Sequence, residues 1–134
     1  MPHKTVSAEI KNLTALLEFV DAQAVAAGFE PRLCNQIKLA FEEAVVNVIN
    51  YAYPGPERGS VDVDISFDGK ALRIVIEDSG IAFDPLAMPE PDITAPLEER
   101  KIGGLGVYMF RQIMDEVSYK RESGRNILTL VKYR

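Results

Sequence analysis

Hydrophobic positions recur at helical spacing twice in the N-terminal part of the chain. After residues 4–10, whose loose alternation predicts a short strand, apolar residues repeat every three or four positions up to Gly28, a C-terminal stop signal. A second helical pattern begins at Pro31 and ends before Pro54 and Gly55. The predicted core face of the first helix is Leu13, Leu16, Leu17, Val20, Ala24 and Ala27. That of the second is Leu33, Ile37, Phe41, Ala44, Val45, Val48 and Ala52.

Strict alternation of apolar and polar residues follows the two helices. Residues 61–67 and 72–76 both alternate, and Asp68-Gly69 between them is a strong hairpin turn. Residues 78–106 are rich in proline and glycine and show no sustained period, which predicts a long irregular segment. In a compact domain a segment of that kind is more often functional than idle.

The C-terminal part returns to helical spacing and then to alternation. Apolar positions from Val107 to Val117 predict a third helix, and residues 118–134 predict a second hairpin that turns at Ser123-Gly124. The whole chain, residues 1–134, is therefore expected to form a single domain, which its length also favours.

Composition restricts the class of function. Hydrophobic residues make up 47% and charged residues 26%, as in average globular proteins, and the net charge of -5 opposes nucleic-acid binding. No apolar run of about 18 residues and no cleavable signal occurs, so we expect a cytoplasmic protein without membrane association. Cys34 and His3 are the only residues of their types, which excludes an internal disulfide, structural zinc and histidine-based catalysis; His3 is expected near a mobile end.

The second helix carries polar residues beside its core face. At about 100° per residue, Glu43, Asn47 and Asn50 fall within a sector of roughly 60°. A carboxylate and an amide oxygen one turn apart suit Mg²⁺ that also binds phosphate oxygens, and the carboxylate could equally act as a base. A solvated helix face is the alternative interpretation of the same residues.

Asp78 continues the inward row of the strand at 72–76 beyond the strand's end. A partly shielded carboxylate there can accept a hydrogen bond from the adenine exocyclic amine and disfavours guanine, whose O6 is an acceptor. Gly80 would let the backbone approach the ring closely. An Asp-Ser-Gly turn with no ligand is the alternative.

A glycine cluster precedes the third predicted helix. Gly103, Gly104 and Gly106 would expose backbone N–H groups at a helix start, where an anion such as phosphate can bind. A flexible connector is the alternative, and the sequence is neither GxGxxG nor a Walker A loop.

The three pieces, in this order, resemble the motifs of the Bergerat-type (GHKL) ATPases, which include gyrase and histidine-kinase ATP domains. Glu43-x-x-x-Asn47 matches the N box, Asp78-x-Gly80 the first glycine box and Gly104-Leu105-Gly106 the second. The short length and the runs EEAVVN, DSGIAFDP and GGLGVYMFRQIMDEVSY look most like the bacterial anti-sigma factor serine/threonine kinases. The resemblance extends from about Glu9 to Lys132.

This resemblance implies an α+β fold, a two-layer α/β sandwich whose mixed, mostly antiparallel sheet is covered on one face by three helices. It implies ATP and Mg²⁺ as cofactors, an antagonist protein and a sigma factor as partners, and a homodimer. The implied metal ligand is Asn47 and the implied catalytic base is Glu43. The residues expected at the nucleotide are Asn47, Asn50, Asp78, Gly80, Gly103, Gly104, Leu105, Gly106 and Asn126.

The chain departs from its relatives at two places. Tyr51 stands where many have histidine, and Arg125-Asn126 where many have Gly-Thr; Asn126 retains a donor for a phosphate. Arg100 and Lys101 could reach the γ-phosphate or simply be solvated. Two other functions remain open: a nucleotide-dependent binding module without phosphotransfer, and a histidine-kinase ATP domain, for which His3 is badly placed.

Overall fold

The computed structural model describes residues 2–87 and 111–134, which form five strands and two long helices. The strands are β1 (His3–Ser7), β2 (Ser60–Phe67), β3 (Ala71–Asp78), β4 (Glu116–Glu122) and β5 (Arg125–Tyr133). The helices are α1 (Leu13–Ala26) and α2 (Pro31–Asn47), and α2 continues into a π-helical turn, Val48–Ala52. Short 3-10 turns occupy Ile10–Asn12 and Pro85–Ala87, and residues 111–113 are helical.

The strands form one sheet in the order β1-β2-β3-β5-β4. Its four strand pairs are all antiparallel, so the parallel pairing implied by a mixed sheet has no counterpart among the described strands. Strand β5 pairs with β3, which lies 47 residues before it in the chain as counted from Asp78 to Arg125, and thereby closes the two hairpins into one sheet. The α+β class expected from the sequence is confirmed.

The hydrophobic core lies between the helices and one face of the sheet. Phe41, Ile37 and Val45 of α2 pack with Leu16 and Val20 of α1. The sheet contributes the alternate residues that the sequence pattern predicted, together with two from β5: Val61, Val63, Ile65, Leu72, Ile74, Ile76, Leu128 and Leu130. Burial of this inward face fixes the register of β2, β3 and β5, because a shift by one residue would turn the apolar side chains to the other face.

The predicted helix ends are confirmed, and each has a local cause. Gly28 adopts φ +88, a left-handed conformation that glycine allows, and its N–H donates to Val25 at 3.0 Å. Beyond α2, the Arg58 side chain donates to the carbonyl oxygens of Ile49 and Tyr53 and, at 3.0 Å, to that of Ala8. Arg58 therefore satisfies carbonyl groups that the helix end leaves without partners.

Two predicted boundaries are wrong. The first strand ends at Ser7, since the next residues turn into the 3-10 segment, and its His3 is ordered by a 2.6 Å contact with Asp64. Val117 belongs to β4, where it pairs with Leu130, although its spacing fits the preceding helix. Pairing with β5 satisfies the backbone of this segment and so overrides the helical period.

Among the described residues, no helix combines the length and the apolar character needed to cross a bilayer.

Replacing Phe41 with alanine should lower the free energy of unfolding by about 3–5 kcal/mol, because the fully buried ring leaves a cavity in the core. Leu39, on the same helix but 37% exposed, is the matched control, and its change to alanine should cost much less. Urea unfolding followed by circular dichroism measures both. Equal losses would contradict the position of the core.

Candidate functional site

Asp78 is the last residue of β3 and lies on the inner, core-facing side of the sheet. It is 3% exposed, and its cross-strand neighbours are Val61 on β2 and Asn126 on β5. Its Oδ1 accepts hydrogen bonds from the Gly80 N–H and from Asn126 Nδ2, each at 2.9 Å. The inward position expected for Asp78 is therefore present in the fold, although β3 includes Asp78 and does not end before it.

Gly80 brings the loop after β3 against the end of α2. A Cβ built on Gly80 would lie 2.2 Å from the carbonyl oxygen of Ala52, and the neighbouring Ile81 N–H donates to that same oxygen at 2.8 Å. The close approach that requires glycine is thus an approach to the helix backbone. The sequence-based expectation of an approach to a ligand ring stays a prediction.

Asn47 lies on α2, in the helix layer that covers the inner face of the sheet. Its side chain is 4% exposed, and its Nδ2 has no hydrogen-bond partner among the described residues. Both Asn47 and Asp78 line a cavity between α2 and the sheet. The described residues of its lining are Ala44, Asn47, Val48, Ala52, Ile76, Asp78, Phe83, Pro85, Tyr119, Asn126 and Leu128.

Glu43 and Asn50 are placed differently from Asn47, although the three share a helix face in the sequence. Glu43 is half-buried and Asn50 is exposed, and neither is among the described residues that line the cavity. Burial, followed by the nearby charge of Glu42, raises the pKa of Glu43. Asn50 lies in the π-helical turn, where each residue advances by less than the 100° used for the sequence wheel.

Asn126 is the centre of a hydrogen-bond network that joins the two C-terminal strands to the loop after β3. Its Nδ2 donates to Asp78 and, at 2.7 Å, to the carbonyl oxygen of Ile81. Its Oδ1 accepts from Tyr119 O–H at 2.6 Å, Arg121 Nη1 at 3.2 Å and Phe83 N–H at 3.3 Å. Both amide hydrogens are used within the protein. The expected contact of Asn126 with a phosphate stays a prediction.

Tyr119 and Phe83 are site residues that the sequence reasoning missed. Tyr119 lines the cavity from β4, and burial raises the pKa of its phenol, which keeps the O–H group available as a donor. Phe83 also lines the cavity and stacks on Tyr51 with ring centroids 5.1 Å apart. Alternation along β4 would have placed Tyr119 on the inner face once the strand was begun at Glu116.

Two further side chains fix the loop after β3. Tyr53 O–H donates to the Ser60 carbonyl at 2.7 Å, and its oxygen accepts from the Ser79 N–H at 2.9 Å. Arg125 donates to Ser79 Oγ at 2.7 Å and forms ion pairs with Asp62 and Glu77 on the outer face of the sheet. The departure at Arg125 therefore concerns the outer face and not the cavity.

The predicted phosphate-binding residues Gly103, Gly104, Leu105 and Gly106 lie outside the described residues, as do Arg100 and Lys101. Their roles stay predictions.

The cavity has the polar groups that a nucleotide needs. The Nδ2 group of Asn47 is buried without a partner in the described part of the chain, which costs free energy, and an acceptor on a ligand would satisfy it. Asp78 offers an acceptor to a ligand amine.

Residues 2–87 and 111–134 contain no cluster of three or more His, Cys, Asp or Glu that could hold a metal ion. Mg²⁺ commonly takes one or two protein ligands and completes its shell with water and phosphate oxygens, so the oxygen of Asn47 is compatible with it.

Residues 6–132 match the family described as the histidine kinase-like ATPase domain. The match covers most of the chain, and this protein belongs to that family.

Curated relatives are named as protein kinases. The serine-protein kinase RsbW of Listeria monocytogenes serovar 1/2a is 28% identical over 114 residues, which are 82% of this chain and 72% of the relative. The serine/threonine-protein kinase BtrW of Bordetella bronchiseptica is 26% identical over 120 residues, 90% of this chain and 84% of the relative. RsbW of Halalkalibacterium halodurans is 33% identical over 101 residues, 72% of this chain and 60% of the relative.

Solved structures share the fold. The RsbU and RsbW domains of Rv1364c from Mycobacterium tuberculosis align with 100% of this chain at a TM-score of 0.63 and 16% identity. A histidine kinase domain from Erythrobacter litoralis EL346 aligns with 90% of it at a TM-score of 0.57 and 18% identity. The chain spans 33% and 60% of those two solved chains, respectively.

Replacing Gly80 with alanine should lower the free energy of unfolding by about 1–3 kcal/mol, because the new Cβ would overlap the Ala52 carbonyl and force the loop away from α2. Gly55 is the matched control, since a Cβ added there meets nothing within 4 Å. Chemical unfolding of both variants measures the difference. A Gly80→Ala protein as stable as Gly55→Ala would show that the loop does not need this close contact.

The raised pKa of Glu43 should make stability depend on pH. The folded protein holds this proton at pH values where the unfolded chain has released it, so the contribution is complete below the unfolded pKa and is lost as pH rises through the folded pKa. Glu43→Gln should therefore become more stable relative to wild type as pH rises from about 4 to about 7. Unfolding titrations across this range measure the difference.

Glu42→Gln is the control for this measurement. It removes only the smaller of the two causes and leaves the burial of Glu43 in place, so most of the pH dependence should persist. A Glu43→Gln protein that follows the wild-type pH profile would refute the assignment.

Proposed function

We propose that this protein is an ATP-binding anti-sigma factor serine/threonine-protein kinase, which phosphorylates an antagonist protein and sequesters a sigma factor. The observation that carries the proposal is that Asn47 and Asp78, both nearly fully buried, face one cavity from opposite layers of a histidine kinase-like ATPase fold. The names of the curated relatives support the kinase assignment.

Asp78 would select adenine over guanine. A carboxylate oxygen accepts the hydrogen bond that the adenine exocyclic amine donates, whereas guanine would place its O6 acceptor against it. The low exposure of Asp78 strengthens this discrimination, because an acceptor left without a donor cannot be satisfied by water.

Asn47 would act at the phosphate end of the nucleotide. Its oxygen can coordinate Mg²⁺, and its unpaired Nδ2 can donate to an oxygen of the ligand. Mg²⁺ would supply charge neutralisation for the phosphates. The predicted backbone contacts from Gly103, Gly104, Leu105 and Gly106, and a further contact from Asn50, belong to this proposal.

Glu43 would act as the general base. It lies one helical turn before Asn47, and the burial that raises its pKa brings its basicity closer to working pH. The carboxylate takes the proton from a serine or threonine hydroxyl of the antagonist, whose oxygen bonds to the γ-phosphorus as the bond to the β-phosphate oxygen breaks. The products are the phosphorylated antagonist and ADP.

The proposal also includes a homodimeric state and a cytoplasmic location for this protein.

The alternative function is that of a regulator that holds its partner in a nucleotide-dependent manner without transferring phosphate. Asn47 and Asp78 would serve that function equally well, whereas Glu43 would have no chemical role in it. The histidine-kinase alternative has only a shared fold to support it.

Replacing Glu43 with alanine should reduce phosphotransfer by about 10²- to 10⁴-fold, since a general base typically contributes that much, while ATP affinity falls far less. Asn47→Ala should weaken the Mg²⁺-dependent part of ATP binding as well as transfer. Transfer of radiolabelled phosphate to the cognate antagonist, together with calorimetric ATP affinity, measures both effects.

Glu42→Ala is the matched control for Glu43→Ala, because it removes a neighbouring carboxylate of the same helix. Transfer at the wild-type rate by Glu43→Ala would remove Glu43 from the mechanism. Nucleotide binding without transfer by the wild type would favour the nucleotide-dependent binding module.

A further inference from the structure

The side chains around Asp78 form a row across the inner face of the sheet. Asp78 on β3 pairs with Asn126 on β5, and Asn126 pairs with Arg121 on β4. The next row inward contains Tyr119, opposite Leu128. The only described donors to the Asp78 carboxylate are one backbone N–H, from Gly80, and one side chain, Asn126.

The orientation of the Asn126 amide is set by its surroundings. Its oxygen accepts from Tyr119, Arg121 and Phe83, and a reversed amide would place its own N–H groups against the N–H groups of Arg121 and Phe83. The Nδ2 group must therefore face Asp78 and the Ile81 carbonyl. Asn126 is 5% exposed, which leaves water little access to replace any of these bonds.

The same bonds fix the path of the loop. Asn126 donates to Ile81 and accepts from Phe83, as the backbone of a neighbouring strand would. Arg121 adds a 2.7 Å bond to the Gly80 carbonyl. Both donors to Asp78 reach Oδ1, so the second oxygen, Oδ2, lies outside this pair of hydrogen bonds.

We propose that Asn126, held by Tyr119, is a positioning residue for base selection: it fixes the Asp78 carboxylate so that Oδ2 is presented to the exocyclic amine of adenine. The inference rests on the proposed adenine-nucleotide site. Base selection in this protein then depends on the C-terminal hairpin as well as on the loop that carries Asp78.

The experiment compares ADP with IDP, whose base has a carbonyl oxygen in place of the amine. Asn126→Ala should weaken ADP binding by about tenfold, the loss expected for a hydrogen bond to a charged group, and leave IDP binding nearly unchanged. Tyr119→Phe removes one hydroxyl and should reduce the ADP-to-IDP preference in the same direction by a smaller factor. Calorimetry on the full chain measures all affinities.

The double variant tests whether Tyr119 acts through Asn126. If it does, Tyr119→Phe should have no further effect on the preference once Asn126 is alanine. Tyr133→Phe is the matched control, because it removes the hydroxyl of an exposed tyrosine whose partner is Glu116, and it should leave the preference at the wild-type value. Thermal unfolding checks that each variant is folded.

Each of the other possible binding results contradicts a different part of the proposal. Equal losses of ADP and IDP affinity in Asn126→Ala would assign Asn126 to phosphate binding or to general stability, and an unchanged preference would also refute the inference. An undiminished Tyr119→Phe effect in the double variant would remove Tyr119 from the pathway. A wild type that does not prefer ADP to IDP would instead refute the adenine site of the proposed function.

Discussion

A buried carboxylate at the end of an apolar strand must be matched by donors, since an unpaired charge in the core is costly. Asp78 is matched by Gly80 and Asn126, and each of these requires a particular neighbour. Gly80 donates to Asp78 while it packs on Ala52, a contact that leaves no room for a Cβ. Asn126 reaches it because β5 pairs with β3 in this register. The loop after β3, the end of α2 and the sheet therefore meet at the Asp78 carboxylate.

The helix layer meets this point through the irregular end of α2. The π-helical turn carries Ala52 to the loop, and Tyr53 follows it to bind Ser79. Arg58 compensates the carbonyl groups that this ending exposes. Because the end of α2 is fixed against the loop, Asn47 and Asp78 keep facing the same cavity, which is the arrangement that supports a nucleotide site.

Local sequence patterns predicted the strands and turns whose conformation is set by nearby residues. The alternation in β2 and β3 survives because each strand buries one face, and Ser123 and Gly124 turn the last hairpin with φ 53 and φ 77. The predicted third helix extends too far, to Val117, because the spacing of Val117 suits a helix and a strand alike. Pairing with Leu130, a contact absent from any local window, decided in favour of the strand.

By itself the sequence determined the family, the α+β class, the main helices and hairpins, and the positions of Asn47 and Asp78. The class and the elements follow from periodicity within short segments, whereas the family follows from the resemblance of the N box and glycine-box motifs. Tertiary structure alone decided that Gly80 contacts Ala52, that Asn126 turns its amide to Asp78, and that Tyr119 joins the site. Such partners lie tens of residues apart in the chain, so they are set by strand register and by the packing of α2 on the sheet, which local patterns do not encode.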